Sequence, residues 1–144
     1  MITTPNIEQA KRLIKLEKEK PVIVQAQDDD FNRKMLEYGK FDILLSPEAG
    51  IRKHKLRQLD SGFNHVLAEI AVKNKVAIGI DIAEISRLEK KEKAIRLSRI
   101  AQNIKICRKA KTQIKALNAK DKKDAAALLT SLGASAKQAK TSLF

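Results

Sequence analysis

The sequence predicts an α/β domain in which parallel strands alternate with helices along a single unit, residues 1–144. Three observations carry that expectation. Short β-branched runs recur at Val22–Ile23–Val24, Phe41–Leu45 and Val76–Ile82. The segments between them carry apolar residues at helical spacing. Strands and helices therefore alternate, which implies parallel strands joined by right-handed crossovers. No internal repeat, low-complexity tract or interdomain linker interrupts the pattern.

Residues 5–20 read as an amphipathic helix with Asn6 as its cap and Ile7, Ala10, Leu13 and Ile14 on one side. Pro21 stops it and leads into the first strand. Asp28, Asp29 and Asp30 place acceptors at the start of a second helix through Phe31, Met35 and Leu36. The Phe41–Leu45 strand ends at Ser46–Pro47. A basic connection from Glu48 to Asp60 follows, carrying Arg52, Lys53, His54, Lys55 and Arg57; long connections of this kind are more often functional than short ones.

Ser61–Gly62 opens the next helix, capped by Ser61 or Asp60, with a core stripe of Phe63, Val66, Leu67, Ile70 and Ala71. His65 falls roughly opposite that stripe, exposed or at an interface. After the Val76–Ile82 strand, residues 86–111 form the longest helical pattern. Ala94, Leu97, Ala101 and Ile104 line its apolar side, and Lys91, Arg99, Gln102, Asn103 and Lys109 gather on the other. Gln113–Leu117 is a weaker fourth strand. A helix starting at Asp121 runs through Ala125, Leu128 and Leu129 to Gly133, and Ser135 starts a last one.

Charge is the strongest global signal: 30 Lys and Arg against 17 Asp and Glu give a formal +13. Residues 1–60 hold 12 basic and 10 acidic side chains, whereas residues 61–144 hold 18 and 7. Such a one-sided excess attracts polyanions, nucleic acid above all, because phosphate neutralisation releases counterions. Between Arg87 and Lys111 ten bases face two acids, Glu89 and Glu92. Pairs such as Glu89–Lys93 and Glu92–Arg96 at i,i+4 would compensate only two of the ten bases. Aromatics make up 3% of the chain, so the core is aliphatic and stacking on single strands is disfavoured against recognition of folded RNA by shape.

Enzymatic signatures are weak. Ser61 and His65 lie close in sequence but at a helix start, where they serve capping and contact better than nucleophile and base. Two histidines and one cysteine cannot assemble a zinc-type site, and Asp28–Asp30 cannot all converge on one cation. With Cys107 as its lone cysteine, no membrane-length apolar stretch and no signal-peptide layout, the chain is expected to be cytoplasmic, without membrane attachment.

The run Asp60–Ser61–Gly62–Phe63–Asn64–His65–Val66–Leu67, with Val76–Ala77–Ile78 after it, resembles ribonuclease P protein component 3. The stretch Arg99–Ile100–Ala101–Gln102–Asn103–Ile104–Lys105–Ile106–Cys107–Arg108–Lys109 is similar to the Arg-x-x-Gln-Asn-Ile-x-x-Cys-Arg-Lys pattern of that family. Asp42–Glu48 fits its strand ending in Pro-Glu. The resemblance covers the chain from about Val22 onward and lacks the front strand–helix units expected of the family. It implies a reduced or incomplete (β/α) barrel, since a full one typically needs about 250 residues. It also implies a subunit of a ribonucleoprotein endoribonuclease that removes the 5′ leader of precursor tRNA, with the RNA holding Mg²⁺ and performing hydrolysis. The protein would bind no cofactor itself. Implied partners are ribonuclease P RNA, ribonuclease P protein component 2, the other protein subunits and, indirectly, precursor tRNA. With the charge pattern, it marks Arg57, Asn64, His65, Arg96, Arg99, Gln102, Asn103, Arg108 and Lys109 as RNA-binding candidates and assigns no catalytic residue. A metal-dependent phosphoesterase of barrel ancestry and a general RNA-binding module are the alternatives.

Overall fold

The structure is a computed structural model that describes residues 1–50, 52 and 60–143. Its elements run α1 (Ile7–Leu16), β1 (Ile23–Gln25), α2 (Asp29–Tyr38), β2 (Ile43–Leu45), α3 (His65–Lys73), β3 (Ala77–Asp81), α4 (Ile82–Arg87), α5 (Lys90–Ala110), β4 (Ile114–Leu117), α6 (Lys122–Ser131) and α7 (Ala136–Thr141). The four strands pair in parallel in the order β1-β2-β3-β4. An order that never reverses, with right-handed crossovers, puts every crossover helix on the same side of the sheet. The packing has that one-sided character. Val24, Leu44, Ile78, Ile80, Ile114 and Ala116 join the helices in the main core, whereas Ile43, Leu45, Ala77 and Leu117 form a separate cluster with no helix in it. Among the described residues this is the wall of an incomplete (β/α) barrel rather than a sheet covered by helices on both faces.

Local chemistry sets the element ends. Asn6, Asp28, Asn64, Asp81, Asp121 and Ser135 each accept a backbone N–H of the first turn that follows. Three departures from the sequence expectation have the same kind of cause. Asn64, not Ser61 or Asp60, caps α3, so the helix starts at His65 and its buried side is Leu67, Ala68 and Ala71. Val66 is consequently turned outward, 53% exposed. Asp81 caps α4 directly at the end of β3, a short helix absent from the sequence reading, so the long pattern expected from residue 86 begins at Lys90. Leu13, expected on the buried side of α1, is exposed beside buried Ala10 and Ile14.

Both sheet edges are partly occupied by the chain itself. Ile2 bridges β1: its N–H donates to Ile23 O, and Gln25 N–H donates to Ile2 O, both at 2.8 Å. On the far edge Ala116 N–H donates to Ser142 O at 3.0 Å, which ties the end of α7 to β4. These contacts blunt edges that would otherwise recruit another strand.

Gly79 is central to the helix-free face. A Cβ there would sit 2.7 Å from Ile43 Cγ2 and 3.0 Å from Leu45 Cδ1, so the methyl group has no room. Gly79→Ala is therefore expected to destabilise the chain by about 1–3 kcal/mol through overpacking, read as a lower urea midpoint with an unchanged m-value.

Candidate nucleic-acid interface

The long helix α5 has two unlike sides, and the inward one is polar in part. Its buried residues are Arg96, Arg99, Ile100, Asn103, Ile104 and Cys107. Arg96, Arg99 and Asn103, expected on the solvated side, thus lie against the body of the protein. Ala94, expected in the core stripe, is exposed, and Leu97 and Ala101 are only half-buried. The physical reason is a set of acceptors below α5 that apolar side chains could not satisfy.

Glu48, one residue past Pro47 at the end of β2, is 1% exposed. Arg96 reaches it with Nη2 at 3.2 Å and reaches Glu84 of α4 with Nη1 at 2.8 Å. This replaces the Glu92–Arg96 pair that helical spacing suggested. Arg99 donates through Nη1 to Glu48 O at 3.0 Å and Gly50 O at 3.2 Å, and through Nη2 to Arg52 O at 3.3 Å. Asn103 donates to Ser61 O at 3.1 Å. Three side chains of one helix face therefore hold both ends of the connection that links β2 to α3.

Electrostatics follow from this burial. Loss of hydration pushes the Glu48 carboxyl above its ordinary range, and the charge of Arg96 offsets that only in part. For Arg96 burial works against the charged form, but the hydrogen bond it donates to Glu84 and the charge of Glu48 outweigh it and raise its pKa. Arg99 is lowered, by burial first and then by repulsion from Arg52. Burial pushes the Cys107 thiol up to about 12, which makes it an unreactive core residue.

Arg52 repeats the anchoring theme at the surface end. Its Nη1 lies 2.7 Å from Asp29 Oδ1 and 3.3 Å from Asp60 Oδ1, joining the start of α2 to the Ser61–Gly62 turn. Gly62 adopts φ +73°, and a Cβ there would lie 2.0 Å from Pro47 O. No other residue fits that turn.

Asn64, His65 and Gln102 come together around a cleft of about 600 Å³ between α2, α3 and α5. Asn64 Oδ1 is engaged by Leu67 N–H, and His65 Nε2 lies 2.9 Å from Glu69 Oε1. His65 is exposed, as helical spacing indicated. Arg108 and Lys109 are exposed in the last turn of α5, where they also complement the helix C-terminus. Arg57 lies outside the described residues.

The expected site residues thus separate into an inward group, a cleft group and an outward cationic pair. Three more residues join the pair. Lys105 is exposed one turn before Lys109. Gln138 of α7 donates to Ile104 O at 3.2 Å, and Lys137 and Lys140 of the same helix are exposed. Sequence reasoning by blocks missed them, although a signal existed: no acidic residue lies between Glu92 and Asp121 or after Asp124. Among the described residues no group of three or more metal-ligating side chains occurs, and no helix is long and apolar enough to cross a membrane.

No family model matches the chain. It is 28% identical over 115 residues to ribonuclease P protein component 3 of Methanococcus maripaludis strain C6, an alignment covering 78% of this chain and 47% of the relative. The Methanococcus vannielii protein of the same name is 27% identical over 93 residues, 65% of this chain and 37% of its own length. A chain in the cryo-EM structure of archaeal ribonuclease P with mature tRNA superposes with a TM-score of 0.78 at 25% identity. This chain is similar to ribonuclease P protein component 3. The superposition takes in 98% of the present chain and 62% of the other. The chain spans about half the length of the curated component 3 proteins it matches.

Arg96→Met is expected to cost about 3–5 kcal/mol in urea unfolding, because it leaves Glu48 buried and uncompensated. Adding Glu48→Gln to that variant should recover part of the loss. Since the folded pKa of Glu48 is raised, its contribution is fully present below the ordinary carboxylate value and lost as pH rises through the folded one. In Glu48→Gln that segment of the stability–pH curve should therefore be flat.

Proposed function

We propose that the chain is an RNA-binding protein subunit of ribonuclease P. It neutralises backbone phosphate and stabilises the catalytic RNA during removal of the 5′ leader from precursor tRNA. The observation that carries this reading is the set of exposed cations on α7 and on α5 beyond Glu92, in a chain that superposes over 98% of its length on a chain of archaeal ribonuclease P. Among the described residues Lys105, Arg108, Lys109, Lys137 and Lys140 have no carboxylate partner, so their charge is available to phosphate. An arginine can bind phosphate oxygens bidentately, and the lysines act as point charges along the groove.

Hydrolysis in this reading belongs to the RNA and its Mg²⁺, and the protein contributes charge and shape. Ribonuclease P protein component 2 and the other protein subunits are the proposed protein partners, with precursor tRNA reached through the RNA. Asn64, His65, Arg96, Arg99, Gln102 and Asn103 then act mainly by building the scaffold that presents the cationic surface. Arg57 remains a proposed RNA contact of the basic connection.

The test is reconstitution of the full chain and component 2 with a catalytic RNA at low Mg²⁺, reading leader cleavage. The chain should raise cleavage over RNA alone. A Lys105→Glu/Arg108→Glu/Lys140→Glu variant should bind more weakly, and its log–log salt slope should fall by about three phosphate contacts, near 0.9 each for duplex regions. Unchanged cleavage on adding the protein, or an unchanged salt slope in the variant, contradicts the reading.

A further inference from the structure

The outward side of α5 carries charge at both ends and none in between. Lys91, Ala94, Ser98, Ala101, Lys105 and Arg108 follow one another by three or four residues, so they form one row along the helix. The row lies opposite buried Arg96, Asn103 and Cys107. Lys90 and Lys109 widen its two ends, and all of these outward residues are exposed except half-buried Ala101. Among the described residues no carboxylate pairs with Lys90, Lys91, Lys105, Arg108 or Lys109. At 1.5 Å per residue, Lys91 stands about 21 Å from Lys105 and about 27 Å from Lys109 along the axis. Glu89 and Glu92 offset part of the first cluster, whereas no acid follows in sequence until Asp121 beside the second. Between the clusters nothing longer than serine projects from the row.

Building on the RNA-binding reading above, we infer that this row straddles the minor groove of an A-form RNA duplex. The two cation clusters take the phosphate backbones that border the groove, and Ala94, Ser98 and Ala101 lie over its floor. A-form RNA offers a wide, shallow minor groove lined with 2′-hydroxyls, which a low, uncharged helix surface can approach. Ser98 Oγ donates to Ala94 O at 2.9 Å, which leaves its lone pairs to accept from a 2′-hydroxyl. B-form DNA fits less well. Its minor groove, about 6 Å wide, excludes a helix, and its major groove is read through long polar side chains that this row lacks. A single strand gives the row nothing of fixed width to span.

The test is fluorescence anisotropy of the full chain with three probes. They are an RNA duplex of about 16 base pairs, long enough to present two successive minor grooves, the DNA duplex of the same sequence, and one RNA strand alone. The RNA duplex should bind about tenfold more tightly than either alternative. Lys91→Gln and Lys105→Gln, at opposite ends of the row, should each lower the log–log salt slope by about 0.9, one phosphate apiece. Ser98→Leu changes no charge; it should weaken the RNA duplex about tenfold and leave the single strand unaffected, without lowering the urea midpoint. Ala94→Leu repeats that test at a second exposed position. Equal affinity for the RNA and DNA duplexes, an unchanged slope in Lys91→Gln, or parental binding by both leucine variants overturns the proposal. In each of those outcomes the chain still binds RNA, so the reading of it as an RNA-binding subunit stands. Absence of binding to all three probes overturns both.

Discussion

The contact between the inward face of α5 and the chain just past β2 is the constraint on which the rest of the molecule depends. Glu48 is buried where strand order alone gives no reason to put a charge, and an uncompensated carboxylate there would be costly. Arg96 supplies the charge, and Arg99 collects the carbonyls of Glu48, Gly50 and Arg52. Asn103 then holds Ser61 on the far side of the connection. The helix is thereby locked in rotation about its own axis. That rotation decides which of its bases face water.

Locking matters more here than it would in a larger barrel. The sheet has four strands with helices on one side, so α5 packs against few neighbours and its apolar stripe is narrow. Directional polar contacts specify its orientation where dispersion contacts alone would tolerate a slip. With Arg96, Arg99 and Asn103 turned in, Lys105, Arg108 and Lys109 are exposed, as are Lys137 and Lys140 of α7. Ile106 and Gln102 fall on the opposite flank, at the carboxylate-edged cleft. One helix therefore has a structural side, a cationic side and a flank on the cleft.

Much of this was legible before any coordinates. β-branched runs placed three strands and the weaker Gln113–Leu117 segment the fourth, each to within a residue or two, and capping chemistry at Asn6, Asp121 and Ser135 placed helix starts. What could not be read was which way α5 faces. Reading charge as outward is sound when no buried acceptor waits, and Glu48 is such an acceptor, some fifty residues away in sequence. The same long-range term hid α4, whose Glu84 shares Arg96. At α3 the error was one of register, since Ser61 and Asn64 are both good caps and only packing decides between them. The exposed cations were half legible: Arg108 and Lys109 stand in the motif, but nothing in the sequence tied Lys137 and Lys140 to α5, which α7 meets through the Gln138–Ile104 contact.

The two-sidedness of α5 can be measured directly by arginine modification with hydroxyphenylglyoxal, mapped by mass spectrometry with and without bound RNA. Arg96 and Arg99 should resist the reagent in both states, whereas Arg108 should react in the free chain and become protected in the complex. Reaction at Arg96 and Arg99 in the free chain, with protection appearing there rather than at Arg108, would contradict the account.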